Sequence, residues 1–359
     1  MAKIAEEMYP HITSLYQYWP KEKTQFIIRD TDDYSNGGAY FYDNKVEIWA
    51  ENMDYILRGT HNWLRDVVSH EFTHIISLRK ALKFGPHVPA GWFQIFGYET
   101  ERRPDVVRGF PDVLVSYPIS GITIPVWFAE GTAQFQTPSQ RYDYRDSHRE
   151  MILRDRVVTG KLLDLKEMGV FGKNSIGNES SYNQGYAFVS FLAKTFGDSI
   201  VKKLMRQAAA PLTLDFNRVM QSATGVPADS IFRMWENYLD DTYNHRLQTV
   251  KQNLTIGEAV QDEGIGNINP VFSPDGEEIA YVKSTSDYLS VNVLAIKNLK
   301  TEKERLVDGP ITSSVSWSPS GRYLAYSKQT NLQSNGSSFN DIYVYDTKRY
   351  KTYQITKGL

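Results

Sequence analysis

The stretch "VVSHEFTHIIS", from Val67 to Ser77, places two histidines and a glutamate inside an apolar run. Apolar residues recur around it at helical spacing, which predicts one helix over about residues 62–83 with a stop at Gly85-Pro86. Residues four apart lie on one face of a helix, with Cβ atoms about 6 Å apart. His70 and His74 can therefore hold one cation between them.

Glu71 lies between the two histidines and projects about 100° around the helix from His70. Imidazole nitrogens bind zinc at about 2.0–2.1 Å, and a catalytic zinc takes three protein ligands plus a water. Glu71 is placed to act as a base towards that water without binding the metal. The alternative is a buried helix that carries three polar residues, but each such group without a partner costs about 1–3 kcal/mol. The sequence therefore favours a metal site.

The third metal ligand must come from elsewhere in the chain. Cysteine is absent, so the ligand is a histidine, a carboxylate or a carbonyl group. The continuation typical of metzincins fails, because Ser77 stands where that motif has glycine. A short-spaced glutamate of the thermolysin type would fall near Phe93 and Gln94, and neither residue can bind the metal.

Glutamates farther along the chain offer two choices. Glu99 and Glu101 lie in the charged segment "YETERRPD", which we interpret as a solvated loop. Glu130 lies in "IPVWFAEGTAQF", an apolar stretch that predicts a helix, and follows His74 by 56 positions. Gly131 beside it permits close backbone approach. Glu130 is the preferred ligand; the alternative is that it only begins a helix, where a carboxylate is mildly favourable.

The pairing of "HEFTH" with "WFAEG" resembles the gluzincin metallopeptidases, in their branch with a long spacing between the two motifs, and the resemblance covers about residues 24–246. It implies a Zn²⁺ ion held by His70, His74 and Glu130, with Glu71 as the general base. It also implies an α+β fold with two lobes: a mixed sheet lobe that contains the active-site helix, followed by a helical lobe.

A second segment, "SYNQGYAFVSFL", is similar to the Tyr-x-x-Gly segment of aminopeptidase N-type gluzincins, whose tyrosine stabilises the oxyanion. The matching residue is Tyr182. A phenol suits this role, because it is neutral at pH 7 and its hydrogen bond strengthens as the carbonyl oxygen gains charge. The chain has 23 tyrosines, and Tyr186 lies one helical turn after Tyr182. One alternative is that Tyr186 is the donor, and another is that both tyrosines have a structural role.

The sequence departs from the gluzincin pattern at two places. It lacks the Gly-x-Met-Glu-Asn segment that recognises a substrate amino terminus, so exopeptidase activity is not implied. Gln134 stands where thermolysin-like enzymes have a histidine-orienting aspartate. Asp66, one turn before His70, is an alternative orienting group, and a surface position for it is an equal alternative.

Other elements follow from periodicity and turn residues. The first residues predict a helix, "TQFIIRD" predicts a strand, and Asp43-Asn44 predicts a hairpin whose second strand, residues 46–49, lies near a sheet edge. The region between Gly85 and Pro125 is rich in proline and glycine and is interpreted as loop. Further helices are predicted over residues 145–158, 182–196, 199–209, 214–223 and 229–246.

A repeat appears near the end of the chain. "NPVFSPDGEEIAYV", residues 269–282, and "SVSWSPSGRYLAYS", residues 314–327, share a frame whose prolines, Pro274 and Pro319, are 45 positions apart. This period fits four-stranded blades and resembles the TolB-like, WD-like β-propeller repeat. We expect two domains: a gluzincin-like metallopeptidase over 1–247 and a partial propeller of about two blades over 248–359. Two blades cannot close a ring, which indicates a piece of a longer protein.

Composition limits the partners. Hydrophobic residues make up 41% and charged residues 23%, and the formal net charge is -2 without a basic cluster, so nucleic acid is not an expected partner. The sequence predicts no membrane span, and its start lacks the apolar core of a signal peptide. The expected location is extracytoplasmic, periplasmic or secreted, with the signal peptide absent from this chain; a cytoplasmic location is the alternative.

The sequence predicts a zinc-dependent metallopeptidase, a hydrolase that cleaves peptide bonds of a peptide or protein substrate with a zinc-activated water and Glu71 as general base. The strand at residues 46–49 is expected to pair with an extended peptide. One alternative is a non-catalytic envelope interaction module whose propeller binds a protein partner. Another is a zinc hydrolase of a non-peptide amide or ester. A charged helix face is predicted for Arg141, Arg145 and Arg149. The alternative is that these arginines bind a carboxylate of the substrate.

Overall fold

The computed structural model describes residues 1–30, 33–53, 57–58, 62–98, 111–135, 147–286, 292–311, 314–329 and 339–357. The helices in these ranges are α1 (Ala2–Tyr16), α2 (Trp63–Lys80), α3 (Val126–Gln134), α4 (Ser147–Val158), α5 (Ser175–Phe196), α6 (Ser199–Ala208), α7 (Phe216–Thr224) and α8 (Ala228–Gln252). The strands are β1 (Gln25–Arg29), β2 (Gly37–Tyr40), β3 (Lys45–Trp49), β4 (Ala90–Tyr98), β5 (Pro111–Ser120), β6 (Gly266–Phe272), β7 (Glu278–Ser284), β8 (Asn292–Asn298), β9 (Glu304–Asp308), β10 (Ser316–Trp317), β11 (Tyr323–Gln329), β12 (Asn340–Asp346) and β13 (Lys351–Gln354). The described chain is a mixed α and β protein, as predicted.

The strands before α2 form a three-stranded sheet in the order β1-β3-β2. β2 and β3 form a hairpin around Asp43 and Asn44, as predicted, and Asn44 adopts a left-handed conformation with φ 53°. The predicted edge position of residues 46–49 is wrong, because β1 pairs with β3 in parallel and makes β3 the central strand. The strand at the end of this sheet that lies against α2 is β2, through Gly37.

The helix α2 begins where the sequence predicts and ends at Lys80, a few residues before the predicted stop. The Asn62 side chain accepts a hydrogen bond from the backbone N–H of Arg65, which satisfies one N–H group of the first turn. Arg79 and Lys80 in the last turn interact favourably with the negative end of the helix dipole. The two candidate metal-binding histidines therefore lie in the middle of a capped helix.

A two-stranded ribbon of β4 and β5 occupies the segment between α2 and α3. The prediction of a loop is wrong there. Trp92, Phe93, Ile95 and Phe96 are aromatic or β-branched residues of the kind that favours strands, and all four are exposed. Because neighbouring positions on both faces of β4 are apolar, the sequence lacks the alternation of apolar and polar residues by which a strand is recognised.

Hydrogen bonds close the base of this ribbon. The backbone N–H of Lys83 donates to the carbonyl of Gly121 at 2.9 Å, and the N–H of Gly121 donates to the carbonyl of Pro89 at 2.7 Å. The chain thus leaves the end of α2 and returns to it before it enters α3. The ribbon extends away from the helices, so α2 and α3 remain in contact.

The helices pack around one hydrophobic core. Its largest fully buried side chains include Trp127 and Phe128 of α3, Phe188 of α5 and Trp235 of α8. The prediction of α5 starts too late, because Asn174 caps the helix and extends it to Ser175. None of the helices in the described ranges is long and apolar enough to cross a membrane.

Two glycines set the distance between α3 and α5. A Cβ atom added to Gly131 would lie 2.4 Å from the carbonyl oxygen of Gly185, and one added to Gly185 would lie 2.3 Å from the carbonyl oxygen of Trp127. Both distances are far shorter than real contacts, so the backbones approach closely only because neither residue has a side chain. The close approach expected at Gly131 is confirmed.

The last helix, α8, continues beyond its predicted end at Arg246 to Gln252. It runs through the position between residues 247 and 248 at which the sequence divides the chain. The change from helices to strands comes after Gln252. The division into two domains stays a prediction.

Two four-stranded antiparallel sheets follow α8, β6–β9 and β10–β13, which are named the first and second blade. The four-stranded units predicted from the repeat are confirmed. Gly276 and Gly321 adopt the same left-handed turn, with φ 71° and 69°. Their N–H groups donate to the carbonyls of Ser273 and Ser318, each at 2.9 Å. The shared Ser-Pro-x-Gly frame therefore encodes one turn used twice.

Candidate metal centre

Three side chains from two helices meet at one point. The Nε2 atom of His70 lies 3.1 Å from Oε2 of Glu130 and 3.2 Å from Nε2 of His74. The Nε2 atom of His74 lies 3.3 Å from the same oxygen of Glu130. His70 and His74 come from neighbouring turns of α2, and Glu130 comes from α3. The structure thus brings together the three residues that the sequence predicted as ligands, and this group could hold a metal ion.

The spacing of these atoms fits a tetrahedral metal. Ligand atoms that each lie about 2.0–2.1 Å from one zinc ion, at the tetrahedral angle, are about 3.3 Å apart. The three separations observed among His70, His74 and Glu130 are 3.1, 3.2 and 3.3 Å. Two imidazoles and a carboxylate form a donor set that suits zinc and several other divalent metals of the first transition row.

Glu130 carries the negative charge of the group. It is 8% exposed, and burial alone would raise the pKa of its carboxyl group. The charges and hydrogen bonds of His74 and His70 outweigh burial and hold the pKa well below its usual range. Its position depends on the close crossing of α3 and α5, because Gly131 is the next residue. Glu130 is therefore an ionised carboxylate on a tightly packed helix.

Glu71 lies beside these three side chains and lines the same cavity as His70. It is 8% exposed, and burial raises the pKa of its carboxyl group, while the charges of His70 and His74 oppose that rise. The strand β2 passes directly over it, since a Cβ atom added to Gly37 would lie 3.0 Å from Oε1 of Glu71. A peptide that runs along β2 would therefore pass close to this carboxyl group.

Tyr182 lies on the same side of the cavity. Its ring centre is 6.3 Å from that of His70, and the ring of Phe171 stacks on it with centres 5.8 Å apart. Burial raises the pKa of the phenol, and the charge of Glu130 raises it further, so Tyr182 is neutral at pH 7. Tyr186 instead packs against the hydrophobic core. Of the two tyrosines weighed from the sequence, Tyr182 is the one that lines the cavity.

Arg58 and Glu179 form an ion pair at Tyr182 that the sequence did not indicate. Nη2 and Nε of Arg58 lie 2.8 and 3.1 Å from Oε1 of Glu179, which is 2% exposed. The guanidinium carbon is 4.9 Å from the centre of the Tyr182 ring. Glu179 precedes Tyr182 by three residues on α5, a spacing that could have revealed it. Arg58 belongs to none of the described helices and strands and has no such signal.

Other residues weighed from the sequence have different positions. Asp66 and Arg149 line the cavity, and Arg149 is buried, whereas Gln134 is buried in α3. Some fall outside the described part of the chain: Glu99, Glu101, Arg141 and Arg145.

The cavity has a volume of about 810 Å³. Most of its lining residues lie in the part of the chain from α1 to α8, which is named the N-terminal region. A smaller part comes from the second blade, through Ser327, Gln329 and Asn340. The candidate metal centre therefore opens into a space shared by the two parts of the chain.

No protein-family model matches the chain, and neither does any curated protein sequence. Among solved structures, part of the chain is similar to TolB from Acinetobacter baumannii, with 19% identity and a TM-score of 0.23 over 27% of this chain and 23% of that one. An acylaminoacyl peptidase from Pyrococcus horikoshii is similar at 16% identity and a TM-score of 0.21, over 25% and 18% of the two chains. The β-propeller domain of the Trilobed protease from Pyrococcus furiosus matches at 18% identity and a TM-score of 0.21, over 25% and 29%. The chain spans less than a third of each of these structures.

Proposed function

We propose that the chain is a zinc-dependent metallopeptidase of the gluzincin type. The observation that carries this proposal is the triangle of His70, His74 and Glu130, whose atoms have the separations that a tetrahedral metal requires. A carboxyl group, Glu71, lies next to the triangle and faces a cavity large enough for a peptide segment. A binding site alone would not need this base.

Each residue has a distinct role in the proposed reaction. His70, His74 and Glu130 hold the metal, which when bound polarises a carbonyl group and lowers the pKa of water. Glu71 accepts a proton from the attacking water and passes it to the leaving amine. Tyr182 donates a hydrogen bond to the carbonyl oxygen as that atom gains negative charge.

The strand that receives the peptide is β2 in this proposal, instead of residues 46–49. Those residues form β3, whose two sides are already paired with β1 and β2. β2 is the last strand of the described sheet and lies against Glu71. An extended peptide can add to its outer edge through main-chain hydrogen bonds.

The direct test compares the wild type with Glu71→Gln, each loaded with zinc. Removal of the base should lower cleavage of a peptide library by about 10²–10⁴-fold. The zinc content should stay the same, because Glu71 is not a ligand. Glu258→Gln, at an exposed carboxylate far along the chain, serves as the matched control and should cleave like the wild type. Bound zinc without any peptide cleavage would contradict the proposal and favour a non-catalytic module or a non-peptide substrate.

A further inference from the structure

The cavity in front of His70 and Glu71 has two walls from different parts of the chain. One wall belongs to the N-terminal region and carries the candidate ligand His70 and the candidate base Glu71. The other belongs to the second blade, whose described residues at the cavity are Ser327, Gln329 and Asn340. At about 810 Å³, the space between them lies within the size range of ligand-binding clefts. The blade is therefore part of the candidate site.

A hydrogen bond attaches the second blade to the rim of this cavity. The backbone N–H of Asn340 donates to Oδ2 of Asp33 at 2.7 Å. Asn340 also pairs with Gln329 at the end of the ladder between β11 and β12. Asp33 lies shortly before β2, and the residues from Asp33 to Gly37 all line the cavity. The end of the blade is thus held beside the strand that passes Glu71.

The blade wall has a defined chemistry. Its described side chains are a hydroxyl and two carboxamides, which are uncharged and can both donate and accept hydrogen bonds. Such groups bond to main-chain amides and to uncharged polar side chains. Gln329 is exposed and lines the cavity.

We propose that Ser327, Gln329 and Asn340 form a substrate-binding wall, which contacts the side chains near the scissile bond and determines which peptides are cleaved. This inference rests on the proposed function of the metal centre. A peptide that adds to β2 lies between that strand and the blade. Because the space is bounded on both sides, the proposed substrates are extended peptide segments.

A substitution that fills the wall tests this inference. Gln329→Trp should change kcat/KM for peptides with large side chains at one or two positions by about tenfold or more, relative to peptides with small ones. Zinc content and thermal unfolding should match the wild type. The same change at an exposed glutamine of α7, Gln221→Trp, should leave the preference unchanged, since Gln221 does not line the cavity.

A binding measurement tests the wall without cleavage. The chain contains 0 cysteines, so Gln329→Cys and Gln221→Cys each create one site for a fluorescent label. Both are made in the zinc-loaded Glu71→Gln protein and titrated with a mixture of unstructured peptides from digested casein. The label at position 329 should show a saturable change in fluorescence, and the label at position 221 should show none.

The two experiments separate failure of this inference from failure of the proposed function. If the wild type cleaves peptides and Gln329→Trp leaves the cleavage preference unchanged, the proposal of a substrate-binding wall is wrong. The metallopeptidase proposal then stands. If the wild type cleaves no peptide, the proposed function is wrong and the labels decide. A response only at position 329 then supports a peptide-binding wall, and silence at position 329 overturns it.

Discussion

At the scale of single residues, Gly131 couples the packing of α3 to the metal centre. A methyl group at this position would meet the backbone of Gly185, so Gly131→Ala should reduce the free energy of unfolding by about 1–3 kcal/mol and shift Glu130. Zinc affinity should fall together with stability. Urea denaturation and a competition assay with a zinc-binding dye measure the two effects.

The matched control for this prediction is Gly169→Ala. Among the described residues, a methyl group at Gly169 would have only Pro125 Cβ near it, at 4.0 Å, so stability and zinc affinity should stay close to those of the wild type. Equal effects of the two substitutions would show that the close helix crossing does not position Glu130.

Arg58 should position Tyr182 as well as neutralise Glu179. Arg58→Met leaves the buried carboxylate of Glu179 without its partner, which should cost about 3–5 kcal/mol of stability and also lower kcat. The double variant Arg58→Met/Glu179→Met removes both charges and should regain stability, while kcat stays low. Thermal unfolding and peptide-cleavage kinetics of both variants provide the test. Recovery of kcat together with stability would mean that the pair has only a structural role.

The ligands could be predicted from the sequence for reasons that do not apply to this ion pair. His70 and His74 are one helical turn apart, so their proximity follows from helix geometry alone. Glu130 is 60 positions from His70, but a carboxylate in an apolar helix is itself unusual and draws attention. Arg58 belongs to none of the described helices and strands, so no periodicity in the sequence indicates its position. Its partner depends on how the chain folds back.

At the scale of elements, Asp308 connects the two blades by hydrogen bonds. This residue of β9 accepts hydrogen bonds from Tyr326 at 2.6 Å and from Lys328 at 2.8 Å, both on β11. Burial alone would raise the pKa of Asp308, but the bonds from Lys328 and Tyr326 outweigh it and hold the pKa below its ordinary value. The folded blades therefore favour the ionised carboxylate.

Asp308→Asn should lower the stability of the blades by about 1–3 kcal/mol at pH 7. A depressed pKa in the folded state gives stability that is fully present above the ordinary pKa of aspartate, and that is lost as pH falls through the folded pKa. The difference between wild type and Asp308→Asn should therefore shrink on acidification. Denaturation at pH 7 and pH 3 measures it, with the exposed Asp262→Asn as the control that should not alter stability at either pH. A difference that grew at pH 3 would contradict this assignment.

Elements with a clear period were predicted well, and those without one were not. The helix α2 and the two four-stranded blades follow from repeated spacing in the sequence. The strand β4 was missed because apolar residues lie on both of its faces. The central position of β3 was missed because parallel pairing with β1 has no signal in the sequence of either strand. The hairpin of β2 and β3, in contrast, is indicated by the turn residues Asp43-Asn44.

At the scale of the whole molecule, metal should act as a link between α2 and α3. A ligand that binds the folded state at about 100 times its Kd adds about 2.7 kcal/mol, which for a domain of this size raises Tm by about 5–10 °C. Removal of zinc with a chelator should lower Tm by that amount, and added zinc should restore it. His74→Ala, which lacks one ligand, should show no such shift in a calorimeter. An equal response of both proteins would place the stabilising metal elsewhere.

The closed base of the ribbon has a consequence for how such a chain can change over time. Since Lys83, Pro89 and Gly121 join its two ends by backbone hydrogen bonds, insertions or deletions beyond them need not move either helix. The number of residues between the second histidine and the distant glutamate is then free to drift between descendants that keep the same site. The corresponding experiment replaces the whole ribbon by a short turn. If the variant still binds zinc, the ribbon is not needed to form the metal site.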